Sequence, residues 1–255
     1  MDYLYDGSFE GLLTCLYYNF TKQKASGIFQ KKAYQESLLE SCTTIKTNEK
    51  QADYMYAQIK KHLSRHRLKD VYYCYLSEQK NFEKVILDFV DLCFRKGARY
   101  ALMHSDERVF ALDDLSRKVS RESHRYTGFT RFKQVNQYLY ASIHPTFFIL
   151  PLLGNHFADR YYGEQILIHD EGRSTALIAQ DGRFQLVPLQ KKDLPDVNQR
   201  DEIEELWKTY FDHIAIEQRI SKKRQQQFIP LKYQKDLLEC RPSENKTIFA
   251  RPDKP

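Results

Sequence analysis

The stretch QILIHDEGRSTALIAQDGRFQLVPL, residues 165–189, decides the fold class. Short runs of β-branched and apolar residues, Gln165–His169, Ser174–Gln180 and Arg183–Leu189, are separated by turn signals. Asp170-Glu171-Gly172-Arg173 is one turn, and Asp181-Gly182 is the dipeptide of a two-residue hairpin. Such spacing predicts an antiparallel meander rather than a series of parallel crossover units.

Working back towards the N-terminus, Phe129–Val135 and Gln137–Ile143 have strand composition, with Asn136-Gln137 as a hairpin turn and His144-Pro145 as the stop. A helix is predicted within Leu152–Tyr161. Residues before Gly128 read as mostly helical. Phe9, Leu12, Leu13, Leu16 and Phe20 form a stripe at helical spacing after the cap-like Asp6-Gly7-Ser8, itself preceded by a short strand at residues 2–5. Further helices are predicted from Asn48 to about Arg65, over Val71–Leu76, over Asn81–Arg95 closed by Gly97, and from Asp106 onward with Val109, Leu112, Leu115 and Val119 inward. Beyond the meander, Pro188–Pro195 reads as a linker. A helix begins at Asp201 with Ile203, Leu206, Trp207, Tyr210, Phe211 and Ile214 on its apolar face, and its acids sit in the first turns, where the macrodipole favours them. The expected fold class is α+β, with a helical N-terminal half followed by an antiparallel sheet with packed helices. Three regions are expected: 1–105 mainly helical, 106–240 α+β with the candidate site, and a C-terminal tail at 241–255.

The chain has 255 residues, enough for one large domain or two modest ones. Its 29% charged and 42% hydrophobic composition is that of a globular protein. Five cysteines, Cys15, Cys42, Cys74, Cys93 and Cys240, form no close pair, so neither a disulfide framework nor a zinc or iron–sulfur spacing is expected. No leader-like N-terminus and no span-length apolar run is present, so a cytoplasmic protein without membrane contact is expected.

Net charge is +6, and its distribution matters more than its sum. The densest basic segment holds Arg117, Lys118, Arg121, Arg125, Arg131 and Lys133 against the single acid Glu122, with Tyr126, Phe129 and Phe132 interleaved. Guanidinium forks suit phosphate, and aromatic faces suit bases. Arg117, Arg121 and Arg125 are spaced to share one helix face. A solvated helix face has the same pattern. A second basic run is Arg219, Lys222, Lys223 and Arg224.

His62 and His66 have the spacing of a two-histidine metal site on one helix, but no glutamate stands in a metalloprotease position and Arg65 and Arg67 flank them, so no metal is expected. His156 and Arg160 on one helix, and His169, Asp170 and Arg173 at the turn, are residues that either converge on a phosphate or base or form a surface ion-pair network. Nucleophile-elbow, phosphate-loop and dinucleotide motifs do not occur, and no cofactor is expected.

The string Glu122-Ser-His-Arg125-Tyr-Thr-Gly128-Phe129-Thr-Arg131-Phe132, together with Tyr138–Pro145, His156–Arg160, Ile166–Arg173, Trp207–Arg219 and Gln227–Tyr233, resembles a bacterial family of DNA-repair or DNA-metabolism proteins. Its members are encoded beside a radical-SAM protein, and some are fused to a uracil-DNA glycosylase-like domain. The chain departs from the family pattern at Gln165 and Gln234, where tryptophan is common. The resemblance implies a site made of Glu122, Arg125, Arg131, His156, Arg160, Asp170 and Arg173. DNA (or RNA) and the radical-SAM protein are the implied partners. This chain lacks the CxxxCxxC string and would not hold the cluster itself. Three functions are carried forward. One is a DNA-binding accessory factor. Another is a glycosylase- or nuclease-like enzyme with Asp170 or Glu122 as acid/base and His156 as proton carrier. The third is a protein-interaction adaptor for the radical-SAM partner.

Overall fold

The structure, a computed structural model, describes residues 1–35, 41–190, 192, 210, 221–234 and 237. The chain divides into two compact units, Met1–Ser123 with Thr146–Ile149, and His124–Pro145 with Leu150–Pro255. The helix expected from Asp201 and the tail from Arg241 lie outside the described residues.

The first unit opens with β1 (Asp2–Tyr5) and α1 (Phe9–Thr21). Ser8 caps α1 by accepting from the Gly11 amide at 2.9 Å, and Asp6 accepts from the Ser8 amide at 2.9 Å. After them come β2 (Gly27–Gln30), β3 (Cys42–Thr44), α2 (Glu49–Leu63), α3 (Arg65–Leu76), α4 (Phe82–Lys96) and a 3-10 turn at Ala98–Leu102. Both short strands pair parallel to β1, in the order β2-β1-β3. At three or four residues these strands are too short to show a period in the sequence.

Asn48 caps α2 as expected, and the helix ends at Leu63, two residues before the expected Arg65. Ser64 adopts φ 95°, ends α2 and caps α3, which starts six residues before the expected Val71. His62 and His66 consequently sit on different helices. His62 packs on the Phe94 ring, and His66 lies 3.7 Å from Asp70. The core of this unit gathers Tyr5, Leu12, Leu16, Ile59, Val71, Ile86 and Phe89, all wholly buried.

Within this core lies a buried ionic cluster. The Arg67 side chain, 5% exposed, donates to Asp70 at 2.9 Å, to Asp113 and to the Ala101 carbonyl. Ser116 donates to Asp70 at 2.9 Å, and His104 meets Asp113 at 2.6 Å. Glu83, buried in the first turn of α4, accepts from the Tyr5 hydroxyl at 3.3 Å, and burial raises its pKa.

α5 (Glu107–Phe129) gives its residues through Ser123 to the first unit and the remainder to the second. It runs past Gly128, so the strand expected over Phe129–Val135 shortens to β4 (Lys133–Val135). The helix end is tied off locally: the Thr130 amide and hydroxyl both donate to Tyr126 O, and Arg131 donates to Gly128 O at 2.8 Å.

In the second unit β4 is followed by β5 (Tyr138–Ile143), α6 (Leu150–Arg160), β6 (Gln165–Asp170), β7 (Thr175–Gln180) and β8 (Arg183–Pro188), in the order β4-β5-β6-β7-β8. The turns at Asn136-Gln137 and Asp181-Gly182 are where the sequence places them, with φ 55° at Asn136 and φ 50° and 73° at Asp181 and Gly182. The sheet is mixed rather than antiparallel throughout, because β5 pairs parallel with β6. α6 is the crossover that brings the chain back to the starting end. It packs on β6, β7 and β8. A Cβ added at Gly154 would sit 2.5 Å from the Phe184 ring, so glycine is what lets helix and sheet approach. Beyond β8 the described residues include the short helices α7 (Lys222–Phe228) and α8 (Leu231–Gln234).

Candidate nucleic-acid interface

The sequence-derived site residues separate into those consumed by internal bonding and those left facing solvent. Glu122 is 3% exposed. Its two carboxylate oxygens accept from the Thr146 amide at 3.2 Å and the Phe147 amide at 2.8 Å. It anchors the segment between β5 and α6.

Asp170 is wholly buried at the end of β6. One oxygen accepts from the Gly172 and Arg173 amides at 3.1 and 3.3 Å, and the other accepts from the Arg173 guanidinium at 3.0 Å. Burial raises its pKa, and Arg173 opposes that shift. Arg173 also donates to Pro145 O at 3.3 Å, so this pair stitches the β6–β7 turn to the end of β5. The neighbouring His169 is 1% exposed. Its Nε2 faces the Leu189 carbonyl at 3.2 Å, which can only accept, so Nε2 donates there, and Nδ1 lies 3.3 Å from the Tyr140 hydroxyl. Burial pushes Tyr140 up to about 12.

On α5 the basic run is uneven. Arg117 and Lys118 both pair with Asp114, at 3.2 and 2.6 Å, and Lys118 leads in holding that carboxyl below its usual range. Arg121 and Arg125 are exposed with no ion pair among the described residues. Arg125 instead lies over the Tyr233 ring, 5.7 Å from its centroid, while Tyr126 and Phe129 pack on the same ring at 5.2 and 5.3 Å. Arg131 is exposed and serves partly as the cap already described.

Phe132 is half-buried against Phe157 and Tyr161, at 5.3 and 5.1 Å, so its ring packs the sheet unit rather than standing open to a base. Around this aromatic cluster α6 exposes His156 and Arg160, one turn apart. His156 meets Phe157 edge-on at 4.9 Å, and the Arg160 guanidinium lies 5.8 Å from the Tyr161 centroid. Two residues that sequence reading did not single out adjoin this region. Tyr162 is 73% exposed, and Arg183 is exposed directly after the β7–β8 turn. The Asp181-Gly182 signal fixed the place of Arg183, but nothing in the pattern marked it for binding.

The structure therefore brings Phe132, His156 and Arg160 into one neighbourhood and joins Asp170 to Arg173. Among the described residues no group of histidine, cysteine and acidic side chains is arranged to hold a metal. A cleft of about 570 Å³ in the first unit is lined by Asp2, Tyr34, Lys80 and Glu83 among others, and none of the sequence-derived site residues lines it. No helix of the described residues is long and apolar enough to cross a membrane.

No curated protein matches this chain. Residues 80–239, more than half of the chain and all of the motif-bearing strings above, match a domain of unknown function, and the chain belongs to that family, DUF4130.

Proposed function

We propose that this chain is a nucleic-acid-binding protein of DNA repair or DNA metabolism, working beside a radical-SAM partner. One observation carries the binding part: in the second unit Arg125, Arg160 and Arg183 are exposed with no carboxylate partner among the described residues. An unpaired guanidinium in solvent keeps its full donor fork for a phosphate, whereas a paired one must first give up its carboxylate. The partner and the pathway rest on the family resemblance in the residue strings.

The two acid/base candidates argue for binding rather than chemistry. Glu122 and Asp170 accept from backbone amides and are 3% and 0% exposed, so neither reaches a substrate in this arrangement.

Titrating labelled DNA with the full chain at increasing salt tests the reading. We expect affinity to fall steeply as salt rises, because bound phosphates release counterions. In Arg125→Ala with Arg160→Ala we expect weaker binding at every sequence and a salt slope shallower by about one to two ions. No binding at low salt by folded protein, or an unchanged slope in the double variant, would remove the reading.

A further inference from the structure

Tyr162 is the most exposed aromatic residue of the connection that follows α6, and its ring is not loose. Gly182, at φ 73°, is the second residue of the β7–β8 turn, and a Cβ built there would lie 3.7 Å from the Tyr162 ring. The ring thus rests beside the turn backbone with most of its surface in water.

Strand register explains what else is there. Tyr138 pairs with Gln165, Ile166 with Ala179, and Gln180 with Arg183. The Asn136-Gln137 turn, the Tyr161–Glu164 connection and the Asp181-Gly182 turn therefore sit at one end of the sheet. Arg160 reaches this end from the last turn of α6, and Arg183 from the first residue of β8; both are exposed.

Exposed acids, Asp159, Glu164 and Asp181, share this region. With two guanidiniums against these three carboxylates, charge alone does not draw a phosphate chain to this end. What the end offers in addition is an aromatic face. In a duplex the base faces are already stacked on one another, and only an unpaired nucleotide has a face to give.

We propose that this end of the sheet binds single-stranded nucleic acid, with Tyr162 stacking on one unpaired base between phosphates held by Arg160 and Arg183. The proposal rests on the nucleic-acid reading above and narrows it to single strands.

The test uses the full chain, a labelled oligothymidine and a hairpin duplex of equal nucleotide count, read by fluorescence anisotropy at low salt. We expect the single strand to bind more tightly than the duplex. We expect Tyr162→Ala to weaken single-strand binding by roughly fivefold to a hundredfold, the size of one base–aromatic stack. Duplex affinity should be unchanged, and Tyr162→Phe should bind as the unaltered protein does. Because Tyr162 is exposed, both variants should keep the parent melting temperature, which separates lost stacking from lost folding. Equal single-strand affinity in Tyr162→Ala, or tighter binding of the duplex, overturns the stacking proposal while leaving the broader reading intact if Arg160→Ala still weakens binding. Absence of any binding by the folded protein overturns both.

Discussion

In the first unit Arg67 is buried, with its guanidinium divided among Asp70, Asp113 and the Ala101 carbonyl, while in the second unit Arg160 and Arg183 stand in water with no carboxylate partner among the described residues. The same side chain serves opposite ends. Around Arg67, removal from water is offset by charge-assisted bonds from several directions. Around Arg160, the guanidinium stays exposed and lies over the Tyr161 ring, with no carboxylate partner among the described residues. What separates a structural arginine from a binding one here is the set of groups already bonded to it, which the count of basic residues in a segment does not report.

The contrast is sharpest in the cost of truncation. Arg67→Ala leaves two carboxylates facing each other without their shared cation, and we expect a loss of about 3–5 kcal/mol in chemical denaturation. A loss below about 1 kcal/mol would place Arg67 with the surface pairs. Next in size, Gly154→Ala drives a methyl into the Phe184 ring that packs α6 on the sheet. We expect about 1–3 kcal/mol of destabilisation, read as a lowered melting temperature. Arg160→Ala should change stability by no more than about 0.5 kcal/mol, while weakening nucleic-acid binding. A large stability loss there would make it a second structural arginine.

Smallest is a pH effect in the first unit. Burial raises the Glu83 pKa above its ordinary 4.5, so the folded chain holds that proton more tightly than the unfolded one. Glu83 therefore contributes stability below pH 4.5 that is lost as pH rises through its folded value. Glu83→Gln should melt at a higher temperature than the parent at pH 7, with the difference closing as pH falls below 4.5. A difference independent of pH would assign the effect to packing.

Much of the architecture was readable because the decisive signals are local. Ser8 and Asn48 cap the helices they precede, Gly97 closes α4, and Asp181-Gly182 makes its turn. The elements that escaped depend on distant partners. β2 and β3 exist through pairing with β1, which no short window contains. Whether β5 and β6 run parallel is set by α6 between them and not by either strand's composition. Ser64 at φ 95° ends α2 at Leu63, two residues short of the expected Arg65, and that break puts His62 and His66 on different helices.

For the site, the basic segment was visible as composition, but its division was not. Asp114 neutralises Arg117 and Lys118 and leaves Arg121 alone, although all lie on one helix. Glu122 read as a lone acid in a basic run, when its role is to hold two backbone amides some two dozen residues away. Phe132 read as a stacking ring and is packed.

The segment Thr146–Ile149 belongs to the first unit, although the residues on either side of it belong to the second. Glu122 holds its start, and Phe148 donates to Leu76 O at 3.0 Å. The polypeptide thus crosses from one unit to the other three times. A protease cut after Ser123 would sever the covalent link yet leave the C-terminal fragment fastened by its captured four-residue stitch, so the two pieces should travel together on a sizing column until denaturant releases them.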